Sequence, residues 1–392
     1  MKKRFERPLS AAERIWLCYD RAFVPYANQC VLDGSGHIDH DQLENAVAIA
    51  SEANPGSRLV LEGRLGRARW VDSHVTPRVR SVPAETWDGR GPDNAPFLSD
   101  PLPSRGPTCE VVRAEGPVPR LIFRTNHGVM DGMGTLIWVE DIFRVLRGED
   151  PLGSSSTLTE YDVIRNVSDR SVKMHPLNSI APTGGAGWPV AGMIWKRLTL
   201  PGLQQNLMGK IATTLAGSAW RYGDGAFRVA VPVDERFRCA GTRSTGNLAM
   251  AIYIEVSRNS TPESIDYEIP RQLFNNNDCV AIKGGDFLEH VPIWLIAKGL
   301  AFFTRLQYLT GRYSVSALIS SLCQANANDF HGGGFRTETM FFIPPRLEGL
   351  PVFVSLARGT DVIEMIVSVP RVLAGNGRFE QLLNDLQETL MG

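Results

Sequence analysis

No two of the six cysteines form a C-x-x-C pair: Cys18, Cys30, Cys109, Cys239, Cys279 and Cys323 lie scattered along the chain. That spacing offers neither a zinc site nor a disulfide frame, so the thiols read as reduced and mostly buried. Charge of one sign is missing too. Lys and Arg number 41 against 42 Asp and Glu, which leaves no electrostatic footprint for nucleic acid. No dense Lys/Arg run reads as a membrane-surface patch. No stretch supplies the ~18 uninterrupted apolar residues of a membrane span; the nearest, Val291 to Phe303, is short and carries Lys298. The basic start Met1-Lys2-Lys3-Arg4 runs into Phe5-Glu6-Arg7-Pro8 where a signal peptide needs an apolar core. The protein is therefore expected in the cytoplasm. G-x-S-x-G and H-E-x-x-H are also absent, which removes the serine-hydrolase and zinc-protease readings. No metal and no bound redox cofactor is expected.

What is present is an ordinary globular composition, 43% apolar and 21% charged. At 392 residues the chain exceeds the length at which one hydrophobic core stops growing, so two domains are expected. Ser10 and Glu13 make an S-x-x-E capping box, which starts a helix running to about Arg21. A strand from Ala27 to Leu32 is predicted to end at the turn Asp33-Gly34-Ser35-Gly36. Leu43, Ala46, Val47 and Ala50 then recur at helical spacing after Asp39. Residues 58–62 and 67–71 flank Gly63 and Gly66 as a hairpin. Residues 83–107, rich in Pro, Gly, Asp and Ser, read as an ordered loop or lid. Strands at 110–114 and 119–125 follow, then a helix from about Met133 to Arg147.

Residues 148–190 carry Gly, Ser and Pro clusters with little periodicity, so they make the best linker and the division falls near 175. The second half repeats the mixed grammar. Strands are predicted at 227–233, 248–256, 313–319, 340–343, 352–357 and 362–369. An apolar helical stretch spans 285–309, and a last helix at 378–390 buries Phe379, Leu382, Leu383, Leu386 and Leu390. The result is two α+β halves of similar size, residues 1–175 and 176–392, each a two-layer sandwich.

One segment carries chemistry: Asn126-His127-Gly128-Val129-Met130-Asp131-Gly132. Acyl transfer requires that an alcohol or amine lose a proton as it attacks a carbonyl, and that the oxyanion be stabilised. A neutral imidazole suits the first task, because its unperturbed pKa of ~6.5 leaves it mostly deprotonated near neutrality. His127 follows a predicted strand and precedes Gly128, so its ring can project from a strand end into a cleft. Asp131 reads as architectural: it can bond the backbone around His127 or pair with an arginine. H-x-x-x-D-G arises by chance in roughly a few per cent of chains of this length. Its place between a strand and a helix, at the close of the first half, is what raises it above a loop histidine.

In these residues the sequence resembles the acyltransferases of the chloramphenicol acetyltransferase-like fold. That superfamily includes nonribosomal peptide condensation domains, polyketide-associated acyltransferases, plant BAHD enzymes and wax ester synthases. Its signature is HHxxxDG or HxxxDG; here Asn126 replaces the first histidine of the longer form, which weakens the likeness to peptide condensation domains. Other segments appear in the family's order: Pro8-Leu9-Ser10-Ala11-Ala12-Glu13, Pro55-Gly56-Ser57-Arg58, Pro232-Val233-Asp234-Glu235-Arg236, Gly246-Asn247-Leu248 and Ile319-Ser320-Ser321-Leu322. The resemblance implies two chloramphenicol acetyltransferase-like subdomains in a V, with the active site at their interface. It implies His127 as general base and a salt bridge from Asp131 to an arginine, with Arg58 and Arg236 as the two matches. Gly132 would leave room for the acyl group, and Ser320, Ser321 or backbone amides are candidates to hold the oxyanion. The co-substrate would be acyl-CoA or a phosphopantetheinyl carrier thioester, and the acceptor a hydroxyl or amine of a small molecule, with a monomer sufficing. The alternatives are a stand-alone condensation-type domain forming an amide, another reaction on a carrier-bound substrate, and a silent module that binds a carrier protein.

His331, beside three glycines, lacks the strand and helix of a phosphate loop and reads as a flexible loop residue. His37 and His40 read as a solvated turn. Trp188, Trp195 and Trp294 read as core, with 293–303 a candidate acyl-tunnel wall.

Overall fold

The computed structural model describes residues 4–187, 189–202, 204–239, 241–282, 285–322, 327–359 and 361–392. Trp188 and Cys323 lie outside them. Ser10 makes the capping box as expected, accepting from the Glu13 amide while the Glu13 carboxylate accepts from the Ser10 amide. Helix α1 (Ala11–Ala22) follows. Strand β1 (Ala27–Gly36) corrects the sequence reading, because Asp33-Gly34-Ser35-Gly36 continues the strand instead of ending it. Helix α2 (His40–Ala53) buries Leu43, Ala46, Val47 and Ala50. The hairpin of Leu59–Glu62 with Arg69–Asp72 comes next, then β2 (Arg78–Pro83), β3 (Cys109–Glu115) and β4 (Arg120–Asn126). Helix α3 (Gly132–Leu146) starts directly at the motif, and α4 (Glu160–Val167) breaks the expected linker.

The second half opens with β5 (Met193–Pro201) and α5 (Leu207–Trp220), neither anticipated from sequence. Strands β6 (Phe227–Asp234) and β7 (Ala249–Val256) precede α6 (Pro262–Phe274), a helix also missed, and α7 (Ile293–Thr310). The chain ends with β8 (Ala317–Ser321), β9 (Phe335–Ile343), β10 (Val352–Arg358), β11 (Val362–Pro370) and α8 (Arg378–Met391). Among the described residues, no helix is long and apolar enough to cross a membrane.

Two six-stranded sheets organise the chain. The first has the order β9-β1-β4-β3-β2, with the short strand His331–Gly332 outside β9. The second runs β7-β6-β8-β10-β11-β5. Strand β9 is the exception to a two-half division: although late in sequence it pairs antiparallel with β1 in the first sheet. It can lie that close because Gly34 and Gly36 have no side chain. A Cβ on Gly34 would stand 2.4 Å from the Arg336 carbonyl, and one on Gly36 2.1 Å from the Gly334 carbonyl. Glycine is the residue that admits such a backbone approach.

Each sheet has its own core, one around Trp70, Phe123, Trp138 and Phe143 and the other around Ile211, Phe227, Val354 and Phe379. A third cluster joins them. Val31, Ile122 and Phe341 of the first sheet meet Trp195 and Ile366 of the second, together with Trp87, Phe97 and Leu98 from the 83–107 loop. That segment is an ordered, packed loop. Beside it Asp33 accepts from Arg120 Nε at 2.7 Å and from Arg197 Nη1 at 2.6 Å. Arg197 also holds Glu364 at 2.8 Å, so the two sheets share one nearly dry ion-pair network. Cys18, Cys30, Cys109 and Cys279 are buried free thiols, and Cys239 is half-buried.

Candidate functional site

Strand β4 delivers the motif. Asn126 is its last residue and is fully buried. Its Nδ2 donates to the Leu102 carbonyl at 2.7 Å, and its Oδ1 accepts from the Gly128 amide at 2.8 Å. The residue standing where the longer signature has a histidine is thus a bracket: it ties the 83–107 loop to the turn. The rest of the turn is held as firmly. Asn28 Nδ2 donates to the Met130 carbonyl at 2.7 Å and Arg7 Nη2 to the Val129 carbonyl at 2.8 Å.

Asp131 is the N-cap of α3 and accepts from the Gly134 amide at 2.7 Å. Its carboxylate takes Arg236 as a two-pronged partner, Nη2 to Oδ1 at 3.0 Å and Nη1 to Oδ2 at 3.1 Å. The Leu248 amide adds a fourth bond at 2.8 Å. Arg236 in turn donates to the carbonyls of Ser244 and Gly246. First-half motif and second-half strand end are therefore locked together. Arg58, the other candidate partner for Asp131, is not there: it pairs with Asp72 at 2.6 Å. Local sequence could not separate the two arginines, since both matches lie far from Asp131 along the chain.

The His127 ring is half-buried against a pair of stacked aromatics, Trp16 and Tyr26. Tyr26 stacks on it with ring centroids 5.3 Å apart and an interplanar angle of 15°, and Trp16 lies 5.3 Å away at 30°. Trp16 comes from α1 and Tyr26 from the residue before β1, whose carbonyl also accepts from the His127 amide at 3.0 Å. Burial holds the imidazole below its ordinary pKa of 6.5, against the opposing pull of the Asp131 carboxylate. The ring is thus neutral at neutral pH. Nδ1 of His127 and Oδ1 of Asn247 are both buried, and neither has a hydrogen-bond partner among the described residues. Asn247 Nδ2 reaches Glu13 Oε1 at 3.2 Å, and Glu13 is itself gripped by Arg7 at 2.6 Å and the Trp70 indole at 3.0 Å. Trp16, Tyr26, Glu13 and Asn247 were not singled out as site residues from sequence. The sequence traces are the capping box, the Trp16 that closes the matched Pro8–Trp16 opening, and the Gly-Asn turn.

Ser320 and Ser321 close β8. The next residue, Leu322, meets the motif directly: a Cβ on Gly132 would stand 3.1 Å from its Cδ1. The end of β8 therefore faces the start of α3. The glycines beside His331 have a packing role, since Cβ atoms at Gly332 and Gly333 would stand 2.9 and 3.0 Å from Leu146 side-chain atoms. Trp195 is buried as expected, but Trp294 and Phe302 face solvent, so 293–303 is not a closed tunnel wall. Among the described residues Glu235, Asp278 and Cys279 cluster as a metal site would. Arg238 already occupies that cluster, 3.0 Å from Glu235 and 2.7 Å from Asp278.

No protein-family model matches the chain, and no curated protein matches it by sequence. Solved structures do. The first condensation domain of the calcium-dependent antibiotic synthetase, in complex with a substrate analogue, superposes with a TM-score of 0.67 at 14% identity, over 99% of this chain and 96% of that one. Polyketide synthase associated protein 5 from Mycobacterium tuberculosis gives 0.64 at 16% identity, over 98% and 97%. A starter condensation domain of rhizomide synthetase, solved with C8-CoA and Leu-SNAC, gives 0.65 at 12%, over 99% and 95%. The coverage is end to end in both directions, so the chain has the two-lobed, chloramphenicol acetyltransferase-like fold of the condensation domains.

Proposed function

We infer that this protein is an acyltransferase, moving an acyl group from a CoA or carrier-protein thioester to a hydroxyl or amine of a small molecule. The observation that carries this reading is the state of His127: a neutral imidazole, packed against the Trp16–Tyr26 ring pair on a turn locked by the Asp131–Arg236 pair. His127 takes the acceptor's proton as the acceptor oxygen or nitrogen attacks the thioester carbonyl. The oxyanion collapses, the carbon–sulfur bond breaks, and the thiolate recovers the proton from the imidazolium. Ser320, Ser321 or backbone amides hold the oxyanion. In this reading the two lobes together form the site, so a monomer suffices. An ester product is preferred, because Asn126 stands in place of the first histidine of the longer HHxxxDG signature, which weakens the likeness to peptide condensation domains.

Thiol release from a panel of acyl-CoAs and acyl-carrier proteins, with pooled alcohols and amines, tests the reading. Octanoyl-CoA is the first donor to try, since a structural neighbour holds C8-CoA. Release that depends on the acceptor is expected; a folded protein that releases thiol from none of them would favour the silent binding module. The pH profile is a second check. Because burial lowers the His127 pKa from 6.5, kcat/KM should be flat above neutrality. It should fall with acidification through an apparent pKa below 6.5 as the base is protonated. An acid limb above 6.5 would point to another base.

Gly132 gives a third prediction. The methyl of Gly132→Ala would stand 3.1 Å from Leu322, a flexible side chain that can give way, so the fold should survive. Transfer of a long acyl chain should slow by roughly 10-fold or more relative to acetyl, the scale of one methyl in a fitted pocket. Equal slowing of both donors would mean the acyl chain does not pass this point.

A further inference from the structure

Helix α7 turns only a narrow strip inward, with Ala297, Thr304 and Gln307 buried, where it packs along α1. A surface helix should be polar on its outer side. This one is not. At about 100° per residue, Leu295, Gly299, Phe302, Leu306 and Leu309 fall within an arc of about 80°. All five are exposed, Phe302 to 71% and Leu309 to 85%. Trp294 borders the strip, and the exposed Phe287 stands in the turn Gly285–His290 just before it.

The charges on α7 decide what covers this face. Lys298 and Arg305 are its only charged side chains, both exposed and both positive. They stand two turns apart on the same flank of the apolar strip, with the Lys298 ammonium 5.2 Å from the Trp294 ring centroid. No acid on the helix offsets them. Leu, Phe and Trp with only cations on the same helix fit a helix lying in a lipid interface. We propose that the outer face of α7 seats this protein on an anionic membrane surface. Leu295, Phe302, Leu306 and Leu309 enter the acyl boundary, and Lys298 and Arg305 meet lipid phosphates. The basic residues form no run in the sequence, because the helix, not the chain, brings them to one side.

The seat has a consequence for the site. Helix α7 rests on α1, and α1 carries Trp16 against His127. A bilayer on α7 would lie about one helix diameter, ~10 Å, beyond α1. Membrane-dissolved acyl substrates would then be presented close to the cleft. The membrane contact itself does not depend on acyl transfer, and lipid binding is measured without turnover.

Flotation of the full chain with vesicles of phosphatidylcholine, with and without phosphatidylglycerol, tests it. The protein should float with the anionic vesicles and less with the neutral ones. Phe302→Asp with Leu309→Asp should cut flotation about ten-fold or more, with an unchanged melting temperature because both side chains are exposed. Lys298→Glu and Arg305→Glu should each weaken binding to anionic vesicles roughly five-fold and leave neutral vesicles unaffected. Wild-type protein left at the bottom with both vesicles overturns the proposal, as does equal flotation of the Phe302 and Leu309 variant. A concentration-dependent dimer in light scattering, made monomeric by the same variant, would assign the face to a second copy of the chain instead.

Discussion

His127→Ala is expected to lower acceptor-dependent thiol release by about 10²-fold or more, the scale of removing a general base. The size of the effect follows from what the turn has already fixed. Its backbone is held by Tyr26, Asn28, Arg7 and Asn126, so truncating the ring leaves the neighbouring atoms where they were. A half-buried imidazole also contributes little to the core; its loss should cost about 1–2 kcal/mol, visible as a small drop in melting temperature. Activity and stability therefore separate, and measuring both distinguishes a lost base from a lost fold. The variant's residual rate should also lose the acid limb expected of wild type, because no imidazole remains to titrate there. Equal release by both proteins would mean that His127 is not the base.

Legibility in the sequence followed the range of the interaction. The Ser10–Glu13 capping box and the buried face of α2 are local, three or four residues in span, and they stand where the spacing predicts. Helix α5 was invisible because Leu207–Trp220 carries Gly, Thr and Ser among its apolar positions, and α6 because Pro270 sits inside it. Strand β1 was cut short at Asp33-Gly34-Ser35-Gly36 because those glycines look like a turn until β9 arrives from far along the chain to use the space. The site divides the same way. His127, Asp131 and Gly132 share one segment and were found together. Trp16, Tyr26 and Asn247 reach His127 only through the fold, as does Arg236 in reaching Asp131.

The Asp131–Arg236 pair should show the opposite signature to His127. Asp131→Ala removes the N-cap of α3, an effect of about 1 kcal/mol, and leaves Arg236 nine-tenths buried with only Asp234 as a counter-charge. Breaking a buried pair from one side costs about 3–5 kcal/mol. The Leu248 amide also loses its acceptor. The sum approaches the whole stability of an ordinary domain, about 5–15 kcal/mol, so urea unfolding should shift strongly and activity should fall with the folded fraction. Arg236→Met attacks the same lock from the other side. It strands the Asp131 carboxylate on two backbone amides and frees the Ser244 and Gly246 carbonyls. If the two residues act as one lock, Asp131→Ala combined with Arg236→Met should cost less than the two single changes added, by roughly 0.5–3 kcal/mol. Additive effects would mean that each residue stabilises its own half independently. An Asp131→Ala protein with unchanged unfolding and no activity would instead move the aspartate from architecture into the chemistry.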